Sequence, residues 1–199
     1  MKKERIGIFG GTFNPPHIGH IEAAKAFVTG ADLDKLIIMP SYIPPHKVYN
    51  SSVTCEERLE MCNIAFKDVE KATVSDLEIS RGGTSYTYLT LQELSGDKSD
   101  LYFLCGTDMI LSLDTWKNPE IIFSLANICY IRRETDKDVT NQISEKCKLY
   151  SKKFNATIIS IDAQVIDISS SKIRDGSCDL SQYLTRGVLD YIAEKGLYK

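Results

Sequence analysis

The segment Gly10–His20, GGTFNPPHIGH, places two histidines three positions apart, directly after a short apolar run. Its two glycines let the backbone approach a ligand closely, and the Asn-Pro-Pro sequence makes a rigid turn ahead of a helix. The N–H groups and the positive dipole end of that helix start would face the same crevice, which suits a phosphate group. Residues three apart lie on one helix face, so His17 and His20 can donate hydrogen bonds to one anion.

Two other interpretations of this histidine pair stay open. A metal-binding pair uses the same spacing, but no carboxylate and no third histidine accompanies it in the motif. Two surface histidines that share a helix by chance are the second alternative, and the adjacent glycines argue against it.

Two further segments carry groups that suit phosphates. Pro44–Lys47 holds the third histidine, His46, and a flexible ammonium on a proline-stiffened loop; Lys47 could cover a transferring phosphate or be an ordinary solvated lysine. Ile168–Arg174 places three hydroxyls at a helix start with an arginine about one turn on. Serine favours N-cap positions in any helix. Together with the histidine pair, however, the segment predicts binding of the β and γ phosphates of a nucleoside triphosphate.

A third group of polar and aromatic residues follows two later strands. Asp108, in Gly106-Thr107-Asp108, can accept hydrogen bonds from a ribose or an ammonium group. Trp116, the only tryptophan, offers a flat face to a heteroaromatic ring, although a half-buried core position is the alternative. Ser85-Tyr86-Thr87 begins a predicted helix, where backbone donors could meet a carboxylate or an amide.

Alternating strands and helices must position these residues. The apolar runs predict strands at Arg5–Phe9, Leu36–Met39, Thr73–Ile79, Leu101–Cys105, Ile128–Ile131 and Thr157–Ile161. One helix is predicted around Ile21, Ala24 and Val28, and a second, which carries Leu59, Cys62 and Phe66, after a Thr54/Glu57 capping box. Further helices are predicted at Thr87–Leu94, in two pieces over Ile110–Phe123, at Gln142–Phe154, at Ser169–Arg174, and around Val188, Leu189 and Ile192 up to Gly196. This alternation predicts one doubly wound, Rossmann-like parallel α/β sheet over residues 1–199, with helices on both faces and ligands at the strands' carboxyl ends.

Composition narrows the class of protein. The 199 residues are 43% hydrophobic and 26% charged with a net charge of −3, which fits a folded protein without a broad basic surface for nucleic acid. The apolar runs are far shorter than the roughly 20 residues that cross a bilayer, and no secretory signal is recognised. The six cysteines lack metal-ligand spacing and are expected to be small, mostly buried thiols in a reducing compartment. We therefore expect a cytoplasmic protein without a membrane partner, and a homo-oligomer is left open.

These motifs resemble the nucleotidyltransferase superfamily with the His-x-Gly-His signature and, within it, the bacterial nicotinate mononucleotide adenylyltransferase family. The resemblance covers nearly the whole chain. The resemblance to the superfamily rests on Gly10–His20 and on the serine-rich segment near Ile168. The resemblance to the narrower family rests on four further features: Pro44–Lys47, Ser85-Tyr86-Thr87 with Thr90-Leu91, Gly106-x-Asp108 with Trp116, and the ending Val188–Tyr198.

The resemblance implies adenylyl transfer from ATP to nicotinate mononucleotide, with Mg²⁺ carried on ATP and no dedicated metal site in the protein. It implies catalytic roles for His17, His20, Lys47 and Arg174. The ATP-binding residues would be Gly10, Gly11, Thr12, Phe13, His17, His20, Gly106, Asp108, Ile168, Ser169, Ser171 and Arg174. The residues that bind nicotinate mononucleotide would be Asn14, Lys47, Thr87, Asp108, Trp116 and Arg133.

The chain departs from the family pattern at a few positions. Asn14 stands where many members have Asp, Ser171 replaces a common Thr, and Arg133-Glu134-Thr135 stands where Arg-Pro-Gly is usual. Two other functions remain as alternatives. One is a superfamily enzyme that acts on phosphopantetheine or on a sugar or polyol phosphate, and the other is a noncatalytic nucleotide-binding module.

Overall fold

A computed structural model describes residues 2–45, 52–132, 137–164, 166–176 and 179–198 of the chain. Six strands form one sheet in the order β3-β2-β1-β4-β5-β6, and each neighbouring pair is parallel. The strands are β1 (Glu4–Gly11), β2 (Lys35–Pro40), β3 (Ala72–Val74), β4 (Ser99–Cys105), β5 (Ala126–Arg132) and β6 (Ile158–Asp162). This order places the reversal of the winding between β1 and β4, where doubly wound sheets bind ligands.

The described helices lie between and after these strands. They are α1 (Ile18–Gly30), α2 (Cys55–Phe66), α3 (Leu77–Arg81), α4 (Thr87–Leu94), α5 (Thr107–Ser112), α6 (Pro119–Leu125), α7 (Lys137–Phe154), α8 (Ser170–Arg174), α9 (Leu180–Tyr183) and α10 (Arg186–Lys195), with a 3₁₀ turn at Leu113–Thr115. None of them is long and apolar enough to cross a membrane.

Each strand sends alternate side chains to opposite faces of the sheet, and each face has its own core. Leu36, Ile38 and Leu104 pack with the buried residues of α1, α2 and α10. Ile37 and Phe103 point the other way, into a core completed by α4 to α7. Helices on both faces of a parallel sheet confirm the predicted doubly wound α/β class.

Local signals in the sequence account for several helix ends. Thr54 and Glu57 form the predicted capping box: the Thr54 hydroxyl accepts from Glu57 N at 3.1 Å, and the Glu57 carboxylate accepts from Thr54 N at 2.8 Å. Gly196 ends α10 in the left-handed conformation, with φ 65°. The predicted helix Thr87–Leu94 matches α4 at both ends.

The predicted strand Thr73–Ile79 is wrong beyond Val74. After β3 the chain turns, and Leu77 to Arg81 form the short helix α3. Polar side chains stabilise this turn: Ser75 Oγ accepts from Leu77 N at 3.3 Å, and the Ser80 hydroxyl donates to Asp76 at 2.8 Å. Short polar side chains that bond locally favour a turn over a strand.

The buried cysteines that the structure describes behave as apolar side chains, whereas Cys55 and Cys147 are half-buried and Cys55 Sγ donates to Glu56 Oε1 at 3.3 Å. Cys62, Cys105 and Cys129 are buried, and burial raises the pKa of each thiol, to about 12 for Cys129. These thiols are therefore protonated at neutral pH. Burial of three of the five described cysteines agrees with the expectation of small, mostly buried thiols. Cys178 lies outside the described residues.

Candidate active site

The Gly10–His20 segment forms a turn at the carboxyl edge of the sheet. β1 ends at Gly11, whose carbonyl accepts from Ser41 N at 2.9 Å, and α1 begins at Ile18. Between them Phe13 adopts a left-handed conformation with φ 47° and buries its ring. That ring packs edge-on against His20, with the ring centroids 5.1 Å apart. The turn is therefore anchored in the core beneath the histidine.

The two histidines lie side by side at the start of α1. Their rings stack with centroids 3.7 Å apart and an interplanar angle of 29°. The main-chain N–H of His17 donates to His20 Nδ1 at 3.2 Å. Because Nδ1 accepts this bond, a neutral His20 carries its ring proton on Nε2, which makes Nε2 the donor atom of the ring. The structure thus places both rings on one side of the helix N-terminus.

Gly19 holds the position between the histidines because a larger residue would disturb them. A Cβ atom at Gly19 would lie 3.1 Å from His17 Nδ1 and 3.3 Å from Ile168 Cγ2. Both distances are shorter than ordinary van der Waals contact between such atoms. The glycine of the His-x-Gly-His motif therefore lets the His17 ring and the serine-rich segment approach the helix.

The serine-rich segment docks directly onto this turn. The Ser170 hydroxyl donates to Pro15 O at 2.8 Å, and Arg174 donates to Asn14 O at 2.7 Å. Ser169 caps α8, since its hydroxyl accepts from the main chain one turn on, and Arg174 also donates to Ser171 Oγ at 3.3 Å. The fold therefore joins two motifs that lie about 160 positions apart in the sequence.

Asn14 also forms a hydrogen bond with Tyr198. Its side chain is buried, and the Tyr198 hydroxyl lies 2.5 Å from Asn14 Oδ1. This contact was not predicted from the sequence, although the ending Val188–Tyr198 contributed to the resemblance. The amide of Asn14 keeps the oxygen that a carboxylate would offer to the same hydroxyl, so its departure from the family pattern preserves this bond.

Gly106 and Asp108, both predicted to contact ATP, lie across the switch point from the histidines, whereas Thr87, predicted for the pyridine-nucleotide pocket, lies beside the loop after β2. Gly106 follows β4, Asp108 is exposed in the first turn of α5, and Thr87 opens α4. Phe103 connects the two halves of the site. A Cβ at Gly10 would lie 3.8 Å from the Phe103 ring, and the half-buried Trp116 ring packs edge-on at 6.2 Å from it.

A hydrogen-bond network that was not predicted from the sequence supports the start of α4. Ser85 Oγ accepts from Tyr42 N at 2.9 Å, Thr90 donates to Glu78 Oε1 at 2.6 Å, and Arg81 donates to Thr90 Oγ1 at 3.0 Å. Burial raises the pKa of the Glu78 carboxyl, although hydrogen bonds from Thr90 and Ser85 and the charge of Arg81 lower it. The network ties the loop after β2 to the segment around Thr87 at the start of α4.

A second missed group holds the turn that precedes Trp116. Lys146 of α7 donates to both carboxylate oxygens of Asp114, at 2.9 and 3.0 Å, and the Tyr150 hydroxyl lies 3.0 Å from the same carboxylate. Burial alone would raise the pKa of Asp114, but these hydrogen bonds outweigh burial and lower it. Asp114 is therefore ionised at neutral pH and pairs α7 with the 3₁₀ turn.

Arg58 is the most deeply buried polar side chain near the site, with 0% exposure. It donates to Thr12 O at 2.7 Å and to Ser41 O at 2.6 Å. The helix predicted from the sequence was described by Leu59, Cys62 and Phe66, and burial of Arg58 was not predicted. The available signal was its spacing: Arg58 lies three and four positions before the apolar Met61 and Cys62, which are buried on the same helix face.

Several predicted site residues lie outside the described residues. Lys47 and the neighbouring His46 belong to 46–51, and Arg133 belongs to 133–136. The structure therefore brings together the turn, both histidines, Ile168, Ser169, Ser171 and Arg174, and it leaves the predictions for Lys47 and Arg133 untested.

Comparisons with known proteins agree with this geometry. A family model described as cytidylyltransferase-like matches residues 8–176. A Clostridium novyi protein named "probable nicotinate-nucleotide adenylyltransferase" is 39% identical over 177 residues, which cover 88% of this chain and 86% of the relative. A Clostridium perfringens protein of the same name is 35% identical over 205 residues and covers 100% and 99%.

A solved structure shows the same fold at lower identity. Plasmodium falciparum nicotinic acid mononucleotide adenylyltransferase, complexed with NaAD, superimposes with a TM-score of 0.75 at 20% identity, covering 98% of this chain and 97% of that one. The solved structure shows the fold alone. The family is shown by the identity of 34–39% to relatives over most of the chain, together with the family match. The chain therefore belongs to the cytidylyltransferase-like family and, within it, to the nicotinate-nucleotide adenylyltransferases.

Proposed function

We propose that this chain transfers the adenylyl group of ATP to nicotinate mononucleotide. A phosphate oxygen of the mononucleotide attacks the α-phosphorus of ATP and forms a new P–O bond. The bond from the α-phosphorus to the oxygen that bridges to the β-phosphorus breaks, and that oxygen leaves with pyrophosphate. The product is the dinucleotide deamido-NAD. The junction of the Gly10–His20 turn with α8 is the observation that carries this proposal.

Catalysis in this scheme consists of positioning and charge stabilisation. The attacking phosphate is already anionic, so no general base and no covalent intermediate are needed. His17 and His20, at the N-terminus of the 13-residue α1, would contact the α-phosphate and the bridging oxygen. Arg174 and the hydroxyls of Ser169 and Ser171 would hold the departing phosphates.

The second half of the site would bind the acceptor. Trp116 would lie against the pyridine ring, and the first turn of α4 at Thr87 would present backbone N–H groups to the nicotinate carboxylate. Asp108 would accept hydrogen bonds from a ribose. Lys47 and Arg133 keep their predicted role as phosphate contacts.

The divalent cation is proposed to arrive as MgATP. Among the described residues, no group of three His, Cys, Asp or Glu side chains could hold a metal ion. Magnesium prefers phosphate oxygens and water to a protein cage, so the triphosphate itself supplies its ligands. We also propose that the enzyme acts in the cytoplasm and that residues 1–199 form a single domain.

Pyrophosphate release from the purified protein tests this function. The protein would be incubated with MgATP and, in separate reactions, nicotinate mononucleotide, nicotinamide mononucleotide or phosphopantetheine. We expect release mainly with nicotinate mononucleotide. Release with another acceptor would support adenylyl transfer but contradict the proposed acceptor pocket. No release with any acceptor would favour a noncatalytic nucleotide-binding module.

A further inference from the structure

The buried guanidinium of Arg58 bridges two loops, and under the proposed function each loop would bind a different substrate. One terminal nitrogen donates to Thr12 O, in the turn that carries the histidines, and the other donates to Ser41 O and, at 3.3 Å, to Tyr42 O. Ser41 and Tyr42 begin the loop after β2 that leads to Lys47. α2 therefore supplies one side chain that holds the carboxyl ends of both β1 and β2.

The loop after β2 is in turn fixed to the acceptor half of the site. Tyr42 N donates to Ser85 Oγ at 2.9 Å, and Ser85 N donates to Ile43 O at 2.9 Å. Ser85 lies two positions before Thr87, the first residue of α4. A continuous set of hydrogen bonds thus runs from the Thr12 carbonyl through Arg58 to the start of α4.

We infer that Arg58 is a positioning residue that sets the separation of the ATP turn and the acceptor loop. This inference rests on the proposed function, because the two loops must hold two reactants in line. A planar guanidinium presents donors in a rigid fork, and its two terminal nitrogens reach carbonyls on both loops at once. The lysine ammonium and the shorter glutamine amide each have a single nitrogen and cannot reproduce that geometry.

This role predicts a particular kinetic signature. Each loop keeps its own contacts to its substrate when Arg58 is replaced, so each substrate still binds. The bond from Ser41 N to Gly11 O still joins the ends of β1 and β2, but the Thr12 and Tyr42 carbonyls lose their common donor. The distance between the attacking phosphate and the α-phosphorus is then held less closely, and a misplacement of about 1 Å costs about 10²-fold in rate. The loss should therefore fall on kcat and leave KM largely unchanged.

Arg5 provides a matched control. Its guanidinium also donates to a main-chain carbonyl, Ala31 O at 2.7 and 3.1 Å, and it lies 4.5 Å from the centroid of the Tyr102 ring. Arg5 stands at the amino end of the sheet, at the opposite end of β1 from Thr12. Replacing it removes the same type of bond without touching the site.

The experiment compares Arg58→Lys, Arg58→Gln and Arg5→Lys with the wild type by pyrophosphate release from MgATP and nicotinate mononucleotide. Thermal unfolding by circular dichroism identifies a temperature at which each variant is folded, and kcat and both KM values are measured there. We expect kcat to fall about tenfold or more in both Arg58 variants, with each KM changed less than about threefold. Arg5→Lys should lose stability and keep the kcat of the wild type.

Two results would overturn the inference. One is that a folded Arg58 variant keeps the kcat of the wild type and loses only stability, as Arg5→Lys does. The other is that KM rises while kcat is unchanged, which would make Arg58 a support for one substrate alone. A wild-type protein without turnover would instead overturn the proposed function, so the two failures are distinguishable.

Discussion

At the scale of single residues, His20 lies where catalysis can be separated from folding. Its ring is half-buried and stacked on His17 at the start of α1. We expect His20→Ala to lower kcat about 10²- to 10³-fold, the usual effect of removing one preorganised donor. The loss of stability should be much smaller, about 1 kcal/mol, because the variant also loses the bond from His17 N at the start of α1. Lys25→Ala is the control, because Lys25 is exposed on the same helix and pairs with Glu22 on the surface at 2.8 Å. An unchanged kcat in His20→Ala would remove the histidine from the mechanism.

Gly19 allows a finer test of the same geometry. We expect Gly19→Ala to lower kcat about tenfold, because its new methyl group would displace the His17 ring by a few tenths of an ångström. Steady-state kinetics and thermal unfolding should show a larger effect on turnover than on stability. The control is Gly96→Ala, where a Cβ would lie 3.9 Å from Ser99 Oγ, an ordinary contact far from the site. Equal kinetics in both variants would contradict this packing role.

Sequence reasoning finds residues whose chemistry is local and misses those whose partners are distant. The histidine pair is recognisable because its spacing places both rings on one helix face. Arg58 is not recognisable in that way, because the carbonyls it binds lie 46 and 17 positions away and belong to the main chain. Main-chain acceptors have no residue type, so the sequence carries no sign of them.

At the scale of elements, the Glu78 network between α3 and α4 predicts a dependence of stability on pH. Burial raises the native pKa of Glu78 above its usual value of 4.5. The native state therefore keeps this proton to higher pH than the unfolded chain. The stabilisation is fully present below pH 4.5 and is lost as the pH rises through the native pKa.

Denaturant unfolding of Glu78→Gln across this pH range checks the prediction. Because glutamine does not titrate, the free energy of unfolding of the wild type should fall relative to that of the variant as the pH rises above 4.5. Glu93→Gln is the control, since the exposed Glu93 pairs with the same Arg81 at 3.0 Å. A constant difference between the wild type and Glu78→Gln would show that Glu78 does not titrate in this way.

The elements predicted from the sequence were most accurate where a local signal ends them. α2 begins after its capping box, and α10 ends at Gly196. The error at Thr73–Ile79 has a physical cause. Leu77 and Ile79 alternate with polar residues as a strand would, but α3 turns Glu78 inward to meet Thr90. A buried acid with a distant hydroxyl partner is invisible to periodicity.

At the scale of the whole molecule, the winding of the sheet explains why one fold serves both substrates. β1 and β4 are neighbours at the switch point, so the turn after β1 and the Gly106 segment after β4 open into one crevice. The doubly wound class followed from the alternation of strands and helices in the sequence. The order of the strands did not, because it depends on pairings between residues far apart in the chain.

The most direct test of the account follows the phosphorus atoms of ATP. The protein would be given nicotinate mononucleotide with ATP that carries ³²P either at the α- or at the γ-phosphorus, and the products would be separated by chromatography. Adenylyl transfer predicts that the α label enters the dinucleotide, one for each pyrophosphate formed, and that the γ label appears only in pyrophosphate. A γ label on the acceptor, or an α label that never reaches a dinucleotide, would contradict it.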